Sequence, residues 1–217
     1  MTNRVTLAVF CLLLSIIAVS AQEKRHYEIG INASYGISLA YRSSNHFGVD
    51  LYGGYKPTDH ITVGAGINYG FFQSRLLPSG IEAVFVQSDN HHSFRPYLYG
   101  KYDFAPSKKW SPYVSAKVGY GAFQNTEFSF HLLAGYDFGS TVNPDDYAYL
   151  KNLDHSLNIS GSVYSSLDFG VSRKIGGKGS QVSLGLSLEI QPVTFHYLDK
   201  TESRTNVSIG PSIGFSF

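Results

Sequence analysis

The chain has 217 residues, and its 17 Lys plus Arg against 16 Asp plus Glu give a formal net charge of +1. Charged residues are 15% of the chain, below the roughly 25% of an average protein, whereas aromatic residues reach 15% and glycines number 22. This balance excludes a basic surface for nucleic acid, and a single cysteine excludes a disulfide framework. The composition favours one β-rich domain in contact with lipid.

The first 21 residues have the pattern of an export signal. Arg4 is their only charge, an apolar run covers residues 5–19, and small residues end at Ala21. The run is shorter than the roughly 20 residues that a transmembrane helix needs. We therefore predict a signal peptide at residues 1–21 with cleavage after Ala21, and a barrel domain at residues 22–217. Cys11 lies within the apolar run, so the exported chain contains no cysteine.

Alternation with a period of two residues recurs along the rest of the chain and predicts eight strands. Their ranges are 27–41, 47–55, 61–71, 94–104, 113–122, 163–172, 182–190 and 206–217. In the last strand one face carries Val207, Ile209, Pro211, Ile213, Phe215 and Phe217, and the other carries Ser208, Gly210, Ser212, Gly214 and Ser216. A soluble strand usually hydrates its second face with charged residues. Small polar residues there indicate lipid outside and a packed polar lumen inside.

The connections alternate in length. Turns at 56–60, 105–111 and 176–180 are short, and loops at 73–93, 124–161 and 198–205 are mostly longer. This asymmetry is typical of outer-membrane barrels, whose short turns face the periplasm. The predicted fold is therefore all-β, an eight-stranded antiparallel up-and-down transmembrane β-barrel. An alternative count makes residues 128–138 an extra strand pair and gives ten strands.

Charged residues share the polar face of the predicted strands: Glu28, Asp50, Arg95, Lys101, Asp103, Lys117, Asp168 and Glu189. In a membrane barrel this face is the lumen, where these residues pair with one another and with tyrosines to form a plug. In a soluble barrel or sandwich, the alternative, the same face would be a surface short of charge. Lys101, Asp103 and Lys117 are predicted to lie at one periplasmic level and to pair.

The terminal strand and the segments 96–104 (PYLYGKYDF) and 111–123 (SPYVSAKVGYGAF) resemble the small eight-stranded outer-membrane β-barrels of Gram-negative bacteria, typified by OmpX and the OmpA membrane domain. The resemblance covers residues 23–217. It implies location in the outer membrane, a monomer surrounded by lipid, and an aromatic-ended assembly signal at Ile213, Phe215 and Phe217 for the barrel-assembly machinery. Members of this group include adhesion-related and structural proteins, so fold alone does not decide the activity.

We expect a non-enzymatic structural or surface-interaction role, adhesion-like, with no cofactor and no metal. One alternative is a narrow porin or a barrel that binds or passes a small ligand. Another is a lipid A-modifying enzyme, but His155 and Ser156 are adjacent on a strand and point to opposite faces. Six histidines, including His46 and His91, are expected at the outer half as exposed loop residues. The loop 124–161 could bind an extracellular ligand, and a short helix is predicted from Asn143 to Leu153.

Overall fold

The structure, a computed structural model, describes residues 26–39, 45–72, 75–76, 84–88, 91–132, 156–176, 179–197 and 200–217. Its strands are β1 (Tyr27–Ser38), β2 (His46–Tyr55), β3 (Ile61–Phe72), β4 (Arg75–Leu76), β5 (Val84–Ser88), β6 (His91–Asp103), β7 (Trp110–Phe123), β8 (Thr126–Leu132), β9 (Ser156–Ser160), β10 (Ser162–Ile175), β11 (Ser180–Tyr197) and β12 (Lys200–Ser216). None of the described residues forms a helix long and apolar enough to cross a bilayer. The predicted signal peptide and the helix predicted at 143–153 lie outside the described residues.

Eight of these strands close into a barrel. They follow one another as β1, β2, β3, β6, β7, β10, β11 and β12, each antiparallel to the next, and β12 returns to pair with β1. Ile31 lies opposite Phe215 across this closing seam. The predicted up-and-down barrel is therefore confirmed, and the ten-stranded alternative is wrong because β8 lies outside the closed ring.

The aliphatic stripe lies on the outside of the barrel. Leu98 is 65% exposed and Leu184 57%, whereas Arg95 and Glu28 on the opposite faces are 0% and 1% exposed. An apolar exterior around a polar interior is stable in hydrocarbon and not in water. The soluble alternative is therefore wrong.

Aromatic side chains mark both rims of this apolar exterior. Tyr27, Tyr55 and Phe104 are exposed at the rim with the short turns, and Phe47 and Phe94 are exposed at the other rim. Amphipathic rings concentrate at the levels where lipid headgroups meet the acyl chains. The two girdles therefore bound the membrane-embedded height of the barrel.

The seam between the first and last strands contains one close approach. A Cβ added at Gly210 would overlap the Tyr35 carbonyl oxygen. Pro211 follows and has no backbone N–H to donate, and the β1–β12 pairs skip this position between Ser34 and Ile37. Gly210 is therefore required for the two backbones to meet.

The short turns have the residues that tight reversals need. Gly176 and Gly179 adopt positive φ values of 66° and 80°, a region that glycine enters without a Cβ clash. In the first turn the Ile61 amide donates to Thr58 Oγ1 at 3.1 Å. These turns lie at the same end as both termini of the barrel, which is the periplasmic end in this fold.

The opposite end extends well beyond the ring of eight strands. Four further strands are present within the described residues: β9 pairs with β11, β8 with β9, β5 with β8, and β4 with β5. The hairpin of β11 and β12 continues to the pair Tyr197 and Lys200. The predicted loop at 198–205 was therefore too long, and the loops at 73–93 and 124–161 contain strands. We call β4, β5, β8, β9 and the ends of β11 and β12 the outer extension.

Candidate functional site

The lumen is the candidate site, because the buried charged residues of the barrel converge there. All eight charged residues predicted to face inward lie on the inner face, and six of them are at most 8% exposed. Their partners divide them into three clusters along the barrel axis. We name these the periplasmic cluster (Glu28, Lys56, Lys101, Asp103), the central cluster (Asp50, Lys117, Asp168) and the outer cluster (His46, Arg95, Glu189).

The periplasmic cluster is balanced in charge. Lys56 Nζ lies 2.7 Å from Glu28 Oε2, and Lys101 Nζ lies 3.5 Å from Glu28 Oε1 and 3.3 Å from Asp103 Oδ2. Lys101 also lies 5.3 Å from the ring centroid of Tyr113. Two cations and two carboxylates thus compensate one another at the mouth of the lumen.

The central cluster places one cation between two carboxylates. Lys117 Nζ is 3.3 Å from Asp50 Oδ2 and 3.4 Å from Asp168 Oδ2. Asn32 and Asn68 each donate an amide hydrogen bond to Asp50, at 3.2 and 3.1 Å. Lys117 therefore belongs to this cluster, so the prediction that it pairs at the level of Lys101 and Asp103 was wrong.

The outer cluster closes the lumen around Arg95, which is 0% exposed. Its guanidinium binds Glu189 and donates to Asn68 Oδ1 from Nε at 2.9 Å. The same group lies 5.2 Å from the ring centroid of Phe72 and 4.9 Å from that of Tyr164. Asn68 donates to Asp50 and accepts from Arg95, so it connects the outer and central clusters.

Aromatic rings continue this closure above Arg95. His46, Phe72 and His91 stack in sequence, with centroid distances of 5.1 and 5.5 Å. Phe123 meets both Phe72 and His91 at 5.8 and 5.9 Å. His46 Nε2 also lies 3.7 Å from Glu189 Oε2. The outer half of the lumen is thus filled by packed side chains.

A cavity of about 50 Å³ remains below this closure, lined by Tyr52, Tyr97, Tyr99, Lys101 and Lys117 among others. Each water needs at least roughly 10–15 Å³ of such a cavity, so only a few waters fit. Gln181 lines both this cavity and a basin of about 680 Å³ at the periplasmic mouth. The cavity therefore lies next to the periplasmic end of the lumen.

Several interior residues were missed by the sequence reasoning. Lys56 continues the inward phase of Asp50, Tyr52 and Gly54, but it was assigned to the turn. His46 and His91 are 3% and 2% exposed and also continue the inward phase of their strands, so their assignment as exposed loop residues was wrong. Extending each alternation by one to three residues would have found all three.

Outside the lumen, one serine and one histidine meet. Ser160 Oγ lies 2.9 Å from His196 Nε2, and His196 Nδ1 lies 3.1 Å from Thr201 Oγ1. A nucleophile and base at this distance could start acyl transfer. The third partner is a hydroxyl, however, and a hydroxyl stabilises an imidazolium far less than a carboxylate does. Among the described residues no group of three His, Cys, Asp or Glu could hold a metal ion.

The class of protein is defined by four features of this structure: closed antiparallel topology, an apolar exterior, a charged lumen and short turns at one end. The chain has the fold of the small eight-stranded outer-membrane β-barrels of Gram-negative bacteria, and its location is the outer membrane. This outcome confirms the fold and location that the sequence resemblance implied.

The chain is similar in fold to several solved structures. Neisserial surface protein A is 15% identical, with a TM-score of 0.51 over 88% of this chain and 96% of that chain. The N-terminal β-barrel domain of Pseudomonas aeruginosa OprF is 17% identical, with a TM-score of 0.42 over 88% and 97%. OprG of the same species is 12% identical, with a TM-score of 0.47 over 88% and 94%. No family model and no curated protein matches the chain.

Proposed function

We propose that this barrel is a non-enzymatic outer-membrane protein whose role is surface interaction, carried by the outer extension. The observation that supports this proposal is that the outer end forms a folded sheet with its own apolar interior. Leu157, Ile159, Val193 and Phe195 are 0 to 8% exposed, and Ile159 pairs directly with Phe195. Burial of these side chains contributes about 1.5–3 kcal/mol each, which orders strands that would otherwise be loops.

The charge of the outer loops indicates which kind of partner is favoured. The loops at 39–45, 73–90, 124–161 and 198–205 carry nine acidic and five basic residues. This excess of acidic residues in the sequence of the outer loops favours a partner with cationic groups. The loop 124–161, expected to bind an extracellular ligand, contributes β8 and β9 to the outer extension.

The test compares attachment of cells that display the chain. Wild type should attach to immobilised basic protein above cells that carry an empty vector, and Leu157→Asn should lose this attachment because it places an amide in the apolar interior of the extension. Leu157→Met is the matched control and should attach like wild type. Heat-modifiable migration on a gel checks that the barrel is intact in each variant. Equal attachment by wild type and the empty vector contradicts the proposal.

A second candidate is passage or binding of a small ligand, and the Tyr-lined cavity favours it. Tyr99 is 9% exposed, and its hydroxyl has no hydrogen-bond partner among the described side chains. An eight-stranded barrel is only wide enough for its interior to be filled by side chains. The outer cluster and the rings above it oppose continuous passage, so we rank this candidate second. Steady single-channel steps of purified protein in planar bilayers would reverse this order.

Catalysis on lipid A ranks third. Ser160 and His196 supply a contact, but no carboxylate of the described chain orients the histidine. Of the pair suggested by the sequence, His155 lies outside the described residues and Ser156 is exposed at the start of β9. Release of fatty acid from lipid A by wild type, lost in Ser160→Ala, would promote this candidate to first place.

A further inference from the structure

The two ends of the barrel differ in charge. The turns at 56–60, 104–111 and 173–180 carry six basic residues and one acidic residue, Asp59. One of the six, Lys56, is paired with Glu28 inside the lumen. Within the described part of the chain, no carboxylate lies within ion-pair distance of Lys108, Lys109, Arg173 or Lys174. The periplasmic rim therefore carries uncompensated positive charge where the barrel meets the headgroups of the inner leaflet.

Two residues of this rim form a defined pair on the lipid-facing side. Arg173 on β10 lies directly opposite Trp110 on β7, with its guanidinium 5.0 Å from the indole ring. Their neighbours Ser172 and Ser111 are 3% and 4% exposed and face the lumen, so Arg173 and Trp110 face outward. Trp110 is 52% exposed.

The pair is held by the backbone around it. The Lys174 amide donates to the Lys109 carbonyl at 3.0 Å, which ties the β10 end to the β7 start. The indole stacks one side of the guanidinium and leaves its N–H groups directed away from the ring face. A planar fork of donors in this arrangement matches two oxygens of one phosphate.

We propose that Arg173 and Trp110 form a binding site for an anionic phospholipid of the periplasmic leaflet. The phosphodiester accepts from Arg173, and Trp110 packs along the glycerol and upper acyl chain, the level that indole prefers. A zwitterionic lipid carries an ammonium that competes for its own phosphate. Phosphatidylglycerol has no such group, so the site should prefer it over phosphatidylcholine.

The chain provides its own reporter, because Trp110 is its only tryptophan. The full barrel is folded into vesicles of phosphatidylcholine that contain either brominated phosphatidylglycerol or brominated phosphatidylcholine at the same mole fraction. Bromine quenches indole emission only at contact. We expect the brominated anionic lipid to be enriched at Trp110 by roughly fivefold, the factor that one interfacial cation gives on an anionic surface.

Matched variants separate a site from diffuse charge. Arg173→Gln should abolish the preference between the two brominated lipids. Lys108→Gln removes the same charge from the adjoining turn, but its side chain lines the lumen mouth, so the preference should remain. Arg173→Lys keeps the charge without the fork and should retain only part of the preference. Heat-modifiable migration verifies folding of each variant.

Two results would overturn the proposal. One is equal quenching by both brominated lipids in wild type. The other is an equal loss of preference in Arg173→Gln and Lys108→Gln, which would assign the effect to the summed charge of the rim. Neither result bears on the outer extension, so the function proposed for that end is tested independently.

Discussion

Replacing Arg95 by Met tests whether the outer cluster holds the barrel closed. The substitution removes the cation that binds Glu189, while His46 at 3.7 Å remains as the nearest substitute. It also removes the donors to Asn68. Breaking a buried ion pair by removing one partner costs about 3–5 kcal/mol, because the other charge stays buried without compensation. If the free energy of unfolding falls by about 2 kcal/mol per M urea, the urea concentration at the midpoint of unfolding should fall by roughly 2 M.

The double variant Arg95→Met with Glu189→Met separates pairing from packing. It removes both charges, so the cost should shrink to about 1 kcal/mol, the value of the hydrogen bond that Asn68 loses. The coupling between the two sites should then be at least about 2 kcal/mol. Lys108→Met, which removes a cation exposed at the rim, is the control and should leave the midpoint unchanged.

Equilibrium unfolding in urea from lipid vesicles measures these differences. The emission of Trp110 reports the transition, since the indole passes from the membrane interface into water on unfolding. A cost below about 1 kcal/mol for Arg95→Met would refute the reasoning, because that is the range of an exposed ion pair. So would a double variant as unstable as the single one, because the charge left on Glu189 would then not explain the loss.

Three further predictions use the same barrel. The exported chain is predicted to contain no cysteine, so an introduced cysteine is the only thiol. Ser115→Cys should react with a small thiol reagent added at the periplasmic end, whereas Ser208→Cys, level with the outer cluster, should be protected. The rate of alkylation of each variant measures the difference. Gly210→Ala should prevent or strongly slow folding because its Cβ meets the Tyr35 carbonyl, while Gly100→Ala, with nothing within 4 Å, should fold normally on a heat-modifiability gel. Phe217→Ser should slow assembly in cells without altering refolding into vesicles, if the last residue acts as the assembly signal.

The fold was predictable because a barrel wall imposes one rule on every strand. Alternation with a period of two residues decides which side chains meet lipid, and the eight strands of the barrel follow it. The phase of the alternation alone assigns Leu98 to the lipid-facing side and Glu28 to the lumen. The count of eight followed from the same rule, since each predicted strand kept its phase over enough residues to cross the membrane.

The pairings across the lumen were not predictable in the same way. Asp50 with Lys117, Glu28 with Lys101 and Arg95 with Glu189 each join strands separated by two others. Which residues meet across the lumen depends on the stagger of all the strands around the barrel. The alternation within a single strand does not determine this stagger. Lys117 was misplaced for this reason, because a level was inferred from its own strand alone.

The strands of the outer extension were not predicted from the sequence, for a different reason. Its strands are short, with two residues in β4 and five in β5 and β9, and they are separated by polar and glycine-containing segments that are also typical of loops. Their stability comes from pairing with distant strands and from burial of residues such as Leu157 and Phe195. Local sequence patterns do not predict this stabilisation by distant strands.

The charged residues of the barrel lie in three regions, namely the lumen and the two ends. The three clusters contain four lysine or arginine side chains and five carboxylates, with His46 beside them, so they compensate one another inside the barrel. The field at each end is therefore set by the residues outside the lumen, which are mainly acidic at the outer end and basic at the periplasmic end. The two proposed partners follow the same division: cationic groups for the outer extension, and lipid phosphates for the periplasmic rim.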